Sequence, residues 1–412
     1  MQEGASSGVD ISGREKVEGP GGVAAPAGPA GGAGGAGSGA GDELATFLEA
    51  LSAASGVCGH EAEVARIVEQ GLGPYSDQLR RDRLGNVIAR LGPAFGEDAG
   101  GPAPRVMLAA HMDEVGMLVL RIEKGGFLRV APMGGTNVQT LLGHEVRVHT
   151  AHGPLAGVVG LKPPHLLSRE ERERFPKWDE LFVDTGLEEP EVRSRVQVGD
   201  PVTLAVRPVT LLGGRMAGKA LDNRVGVAVL REALRNLRLL RHRAEVYAVA
   251  TVQEEVGLRG AVVSTFGLVP DVGVAVDVTF ARQRLVHEPD VVELGRGPAV
   301  AMGPNMHPVV SRRLLEVARA HGVPHQLEVI PGRSGTDAWA MQVSRSGVAT
   351  GLVSVPLRYM HSPVEVVQLD DIRHCGRLLA HFVASLDPDF IRTLADWGVN
   401  ARGVQRDGPP GA

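Results

Sequence analysis

Seven residues of this chain are of types that hold divalent cations or move protons, and each ends or closely follows a short apolar run. They are His111 and Asp113 in VMLAAHMDEVG, Asp222 in GKALDNRVG, Glu254 and Glu255 in YAVATVQEEVG, Asp277 in VGVAVDVTF, and His361 in LRYMHSPVEV. Two imidazoles and several carboxylates can hold a pair of divalent cations and leave one carboxylate free. That inventory suits the activation of water on a metal and its attack on an amide carbonyl. Each residue alone has a plainer reading: Asp222 as a helix N-cap, Asp277 as a turn residue, His361 as a surface loop, the two glutamates as a solvated edge. It is the joint occurrence of suitable types in matching contexts that outweighs these readings.

Spacing divides the work further. Adjacent strand residues point in different directions, so of Glu254 and Glu255 one can bind metal while the other stays free as a base. His111 and Asp113 point the same way, which lets the aspartate brace the imidazole.

The groups must be delivered by separate elements. The run DELATFLEALSAASG carries Leu44, Phe47, Leu48 and Leu51 at helical spacing, and Gly56 ends it. A second helix is expected from about Glu61 to Leu72. NVIARLG reads as a strand and VMLAAHMD as a wholly apolar one. From Val115 to about Arg215 short alternating strands (MLVLRIE, FLRVAP, EVRVHT, LAGVVG, DPVTLAV) are cut by Gly and Pro, the texture of a small β-barrel or sandwich. Strand and helix then alternate. Asp222 opens a helix, AEVYAVATVQ is a buried strand ending at Glu254, and DVGVAVDVT is another ending at Asp277. SRRLLEVARAHG follows as a helix, HQLEVIPG as a strand and DDIRHCGRLLAHFVASL as the terminal helix. In such α/β sheets ligands collect outside the carboxyl ends of the strands.

A chain of 412 residues with 43% hydrophobic content buries one sizeable core and a smaller second one. A formal net charge of -5 gives no reason to expect nucleic acid or an anionic membrane as partner. Two cysteines, Cys58 and Cys375, in no metal-binding spacing, fit a reducing compartment, and the expected location is cytoplasmic. Residues from about Gly19 to Gly41 are almost all Gly, Ala and Pro and are expected to be disordered. The start MQEG is not that of a secretory signal, and no run of apolar residues is long enough to span a membrane. The expected organisation is a disordered tail at 1–42, a catalytic α/β domain at 43–114 and 216–390, a β-rich insert at 115–215 and a C-terminal tail at 391–412.

The motifs HMD, GKALDNRVG, QEEVGLRGA, VDVT, SGTDAWAMQ and RYMHSPVEV together resemble those of the co-catalytic metallo-aminopeptidases of the M42 family, over about Ser55 to Leu386. The resemblance implies a three-layer α/β/α zinc-peptidase-like sandwich with an inserted small β-barrel-like domain that serves oligomerisation. It implies two divalent ions per subunit, zinc or cobalt, with manganese also accepted. Asp222 would bridge them, His111 and Asp277 would complete one site, and Glu255 with His361 the other. Glu254 would be the general base and Asp113 would orient His111. Substrates would be short peptides, cut from the N-terminus, inside homo-oligomers built of dimers and closed into a tetrahedral dodecamer.

Three other readings are weighed against this one. M20-type deacylases or carboxypeptidases share a His-x-Asp and a Glu-Glu pair, but their accessory domain follows the Glu-Glu pair, whereas here the insert precedes Asp222. A polysaccharide hydrolase would use a carboxylate pair and leave His111 and His361 without a task. A non-catalytic metal scaffold would be expected to use Cys and His, not this carboxylate-rich set.

Overall fold

The computed structural model of the protein describes residues 42–94, 102–284, 286 and 291–395. The expected N-terminal tail up to residue 41, and residues 396–412 of the expected C-terminal tail, lie outside them. The first apolar period winds α1 (Glu43–Ala53), whose Leu44 N–H is capped by the Asp42 carboxylate at 3.2 Å. Next come α2 (Ala62–Leu72), β1 (Gln78–Arg81), β2 (Val87–Leu91) and the apolar β3 (Arg105–His111). The chain then makes six strands, β4 (Gly116–Ile122), β5 (Leu128–Met133), β6 (Glu145–Thr150), β7 (Gly153–Gly160), β8 (Phe182–Asp184) and β9 (Pro201–Leu204). Two short helices, α3 (Arg169–Arg172) and α4 (Glu189–Arg195), lie in their connections.

Strand and helix alternate after β10 (Val209–Leu211) and β11 (Arg215–Gly218). The series runs α5 (Leu221–Leu237), β12 (Glu245–Thr251), α6 (Arg259–Leu268), β13 (Val272–Phe280), β14 (Ala299–Met302) and α7 (Pro308–Ala320). It continues with β15 (Gln326–Val329), α8 (Asp337–Gln342), β16 (Ala349–Arg358), β17 (Glu365–Gln368) and α9 (Leu369–Ala384). The helix expected to be terminal, α9, is followed by a short α10 (Pro388–Thr393), which buries Phe390.

Eleven strands form one sheet in the order β1-β2-β12-β3-β13-β16-β17-β11-β10, with β14 joined to β16 and β15 to β14. Its centre, β12, β3, β13 and β16, is parallel. Successive side chains of a strand face opposite ways, so β3 serves two cores. Val106, Leu108 and Ala110 pack with residues of α1, α2, α5, α7 and α9, while Met107 and Ala109 pack with residues of α6 and α8. That is an α/β/α sandwich. Leu108 is 1% exposed, and its truncation to alanine would cost about 2–5 kcal/mol by lost burial and a cavity.

The six strands of the insert close on themselves as β4-β5-β8-β7-β6-β9, around Met117, Val130, Val146, Val183 and Val202. Closure satisfies every strand edge. β10 and β11, which begin inside the stretch delimited from sequence as insert, belong to the large sheet. The two bodies meet beside a crevice. β12 lies on one flank of β3 and β13 on the other, so the strand order reverses there, the place where α/β sheets bind ligands. The β3–β13 ladder runs only from Val106↔Val272 to Ala109↔Ala275. Among the described residues, no helix is long and apolar enough to cross a membrane.

Candidate metal centre

β3 ends at His111, and Asp113 and Glu114 follow it into the loop toward the barrel. Two strand-end expectations need correcting. β12 stops at Thr251, and Gln253 takes a φ of +56°, so Glu254 and Glu255 stand in a turn. Their different directions come from that turn and not from a strand pleat. β13 runs on past Asp277 to Phe280, so Asp277 projects from within a strand where its ladder to β3 has already ended. Asp222 does not open a helix with helical geometry either. Its φ of -78° and ψ of 105° are extended, its peptide to Asn223 is cis, and the regular part of α5 begins after Asn223. His361 lies in the turn between β16 and β17 at a φ of +57°, a region non-glycine residues enter at a cost and which clusters at functional sites.

The structure brings all seven residues to one place. Asp222 is the hinge of the arrangement: its Oδ1 lies 3.4 Å from Nε2 of His111 and its Oδ2 lies 3.3 Å from Nε2 of His361. His361 Nε2 is also 3.4 Å from Glu255 Oε1, and His111 Nε2 is 3.9 Å from Glu254 Oε2. Two triads, His111–Asp222–Asp277 and Asp222–Glu255–His361, each offer ligand atoms within 4.8 Å of one another, and a third joins His111 to Glu254 and Glu255. Barrel and sheet touch here. A Cβ on Gly135, in the loop after β5, would fall 2.6 Å from the His361 ring, so only glycine fits that approach.

Asp113 does more than sequence spacing implied. Its Oδ1 is 3.6 Å from His111 Nδ1, an ion-pair distance too long for a hydrogen bond. Its hydrogen bonds come instead from the backbone N–H of Glu254 at 3.1 Å, that of Glu255 at 3.2 Å, and the Cys58 thiol at 3.1 Å. The buried aspartate thereby holds the turn that presents both glutamates.

Two further acids complete the surroundings, and sequence reasoning assigned neither. Glu365 accepts the backbone N–H of Asp222 at 3.0 Å and of His361 at 2.8 Å. Asp337 accepts the Thr251 hydroxyl at 2.5 Å and is 2% exposed. Both lie in quoted motifs, RYMHSPVEV and SGTDAWAMQ, but Asp337 looks like an ordinary first-turn helix acid beside the cap Thr336, and Glu365 like the start of a strand. Their only signal was membership of those motifs.

The electrostatics call for cations. Burial pushes Glu254 up to about 10 and Asp337 to about 6, and raises Asp277 and Glu365 well above the carboxylate range, with Asp222 adding to the last two. Burial would raise Asp222 too, but His111 and His361 outweigh it and hold it low. The two histidines are raised in turn: His111 against its burial by Glu254, Asp113 and Asp222, and His361 to about 11 by Asp222 and Glu255. So many acids in a desolvated space cannot all ionise without counter-charge. The buried Nδ1 of His111 and Oδ1 of Asp337 have no hydrogen-bond partner. A carboxylate-rich His/Asp/Glu set of this kind fits divalent metal cations.

The chain is similar to known aminopeptidases. A profile of the M42 glutamyl aminopeptidase family matches residues 85–378. The lysyl aminopeptidase of Pyrococcus furiosus is 40% identical over 338 residues, which cover 81% of this chain and 94% of that one. The aminopeptidase APDkam598 of the archaeon Desulfurococcus kamchatkensis superposes with a TM-score of 0.78 at 38% identity, covering 85% of this chain and 97% of that structure. The TET1 peptidase of Pyrococcus horikoshii, described as assembling into a tetrahedron or a large octahedral shell, gives a TM-score of 0.73 at 30% identity, with 84% and 100% covered. The M42 profile and the aminopeptidase relatives decide against the M20-type and scaffold readings. With 40% identity to one aminopeptidase and a profile that spans the crevice from β3 to α9, the chain belongs to the M42 family of aminopeptidases.

Proposed function

We propose that the protein removes N-terminal residues from short peptides at a two-cation centre. His111, Asp222 and Asp277 would hold one ion, and Asp222, Glu255 and His361 the other. The observation that carries this reading is the position of Asp222, whose two oxygens face two different histidines at 3.4 and 3.3 Å. When bound, a cation pair supplies polarisation of the amide carbonyl and of water near neutral pH.

The rest is the work of the chain. Glu254 takes a proton from water and returns it to the leaving amine. It is suited to this because it is 9% exposed and its Oε2 stands 3.9 Å from Nε2 of His111, beside the centre but outside both triads that would hold the ions. Asp113 fixes the Glu254–Glu255 turn through two backbone N–H groups, so that base and ligand keep their separate directions. The carboxylates around the centre receive the α-ammonium of the peptide, which restricts cleavage to the N-terminus. Zinc, cobalt and manganese all suit the donors, and availability decides among them.

Dimers form through the barrel and close into a tetrahedral dodecamer. Support comes from the exposed apolar residues Leu120, Val158, Leu166 and Phe175 on and beside the barrel, and from the shells described for the P. horikoshii relative. The two cysteines, both free and buried, suit the cytoplasm.

The test is Glu254→Gln. It should keep the wild-type metal content and lose at least about 10²–10⁴-fold in kcat on aminoacyl-p-nitroanilides. A variant within about tenfold of wild type removes Glu254 from the base role. Light scattering that returns a monomer near 43.3 kDa with full activity would rule out the assembly.

A further inference from the structure

A cavity of about 660 Å³, within the range of small-molecule sites, opens between the start of α2 and the barrel. None of the seven residues of the centre lines it.

Its charged lining is only partly matched. Arg81 is committed to Glu69 by two hydrogen bonds, at 2.5 and 2.7 Å. Glu61 is 7% exposed, and among the described residues no cation pairs with it. A desolvated carboxylate without a counter-charge is unfavourable, and burial pushes this one up to about 7. Arg66 is exposed, and among the described residues no carboxylate pairs with it. The polar wall on the barrel side adds no charge. His149 Nε2 lies 2.8 Å from Thr203 Oγ1, which lies 3.1 Å from Ser55 Oγ, and burial lowers the imidazole so that it is neutral at pH 7.

These groups define an occupant. A phosphate or a simple carboxylic acid would match Arg66 and leave Glu61 bare. A simple amine would match Glu61 and leave Arg66. A small molecule with both an ammonium and a carboxylate matches the two. Val57, Leu84 and Val252 supply apolar wall for a side chain. A free α-amino acid has this chemistry, and every turnover of an aminopeptidase releases one.

The cavity also touches the support of the Glu254–Glu255 turn. Glu61 Oε1 accepts the Gly59 N–H at 2.7 Å, and the Gln253 N–H faces the same carboxylate. Cys58, the residue before Gly59, gives its thiol to Asp113, which holds the turn by two backbone N–H groups. An ammonium at Glu61 competes for the oxygens that hold Gly59 and Gln253, and so loosens the turn.

We propose that this cavity is a second site, for a free apolar α-amino acid, through which released product slows further turnover. Glu61 receives the ammonium and Arg66 the carboxylate. The site lies outside the peptidase centre and does not depend on which residues hold cations there.

The experiment adds L-leucine to metal-loaded wild type, E61Q, R66Q and R66E, each acting on the aminoacyl-p-nitroanilide it cleaves fastest and compared with its own leucine-free rate. Product bound at the peptidase centre raises KM alone, whereas occupancy of the cavity lowers kcat. Leucine should therefore lower kcat of wild type at saturating substrate. The concentration for half of that effect should rise at least about tenfold in E61Q and in R66Q, the scale of one charge-assisted hydrogen bond. Leucinol and 4-methylpentanoate, with one charge each, should not replace leucine on wild type. R66E offers carboxylates at both ends, so 1,5-diaminopentane should lower its kcat and leave that of wild type unchanged, a gain that a misfolded variant cannot produce. Leucine that raises KM alone, single-charge analogues that act as well as leucine, or a kcat effect unmoved in E61Q and R66Q overturns the second site and leaves the peptidase centre standing.

Discussion

The backbone N–H of His361 donates to Oε1 of Glu365 at 2.8 Å, across the turn that holds the histidine at a φ of +57°. The other oxygen of the same carboxylate takes the Asp222 N–H at 3.0 Å. One buried acid thus places two candidate ligands by their main chains and leaves their side chains free for a cation.

Glu365→Gln should disturb both. A carboxamide offers one oxygen where two are used and turns an NH₂ group toward a backbone N–H. Affinity for cations should fall about 10–100-fold with unchanged far-ultraviolet circular dichroism. Chelator competition on the purified variant measures it, and wild-type affinity would show that these main-chain contacts do not position the ligands.

Asp222→Asn addresses the sharing itself. If Asp222 serves both triads, its loss should lower the content of both ions together and abolish peptide hydrolysis. Elemental analysis showing one ion lost and one fully retained would contradict the sharing.

Metal uptake should depend on pH in a defined direction. Hydrogen bonds to Asp222 and Glu255 raise His361 to about 11, so its imidazole carries a proton at neutral pH until a cation displaces it. Only the neutral imidazole is a ligand, so uptake releases that proton, and affinity should rise about tenfold per pH unit for each proton released, from pH 6 upward. Calorimetry in buffers of different ionisation enthalpy counts the protons. An affinity that is flat with pH, or no proton released, would contradict the coupling.

Beneath the centre, Glu114 binds Lys219 at 2.6 Å and Arg224 at 3.0 Å, with Arg224 wholly buried. Glu114→Ala strands two buried cations, which should cost about 3–5 kcal/mol in urea unfolding. Burial opposes the Glu114 charge, but Lys219 and Arg224 outweigh it and hold the acid below its usual range. Its contribution is therefore present at neutral pH and lost as pH falls through that lowered value. The variant should show a shallower loss of stability with acid than wild type, and an unchanged acid limb would argue against the charged form.

Much of the centre was legible because its chemistry is local. His111, Asp113 and Asp277 follow apolar runs long enough to be buried strands, and such runs fix where a polar side chain must emerge. The two-core role of β3 follows from the same periodicity. Less legible were features decided by backbone turns. Gln253 at positive φ moves Glu254 and Glu255 off the strand, and no pattern of apolar residues reports it. Glu365 and Asp337 were hidden for a different reason: an acid at the start of a strand or helix is commonplace, and what distinguishes these two is their long-range hydrogen bonds, from Asp222 to Glu365 and from Thr251 to Asp337. The short β8 escaped because three residues carry no usable period.

The barrel sits between Asp113 and Asp222 in the chain, and His361 comes near its end. The order in which a ribosome delivers these residues therefore governs when the centre can exist. A nascent chain exposes His111 and Asp113 first, must complete the entire barrel before Asp222 emerges, and lacks one imidazole until the final strands appear. No fragment released before residue 361 carries the full set, so synthesis itself would keep an unfinished copy from acting on peptides around it.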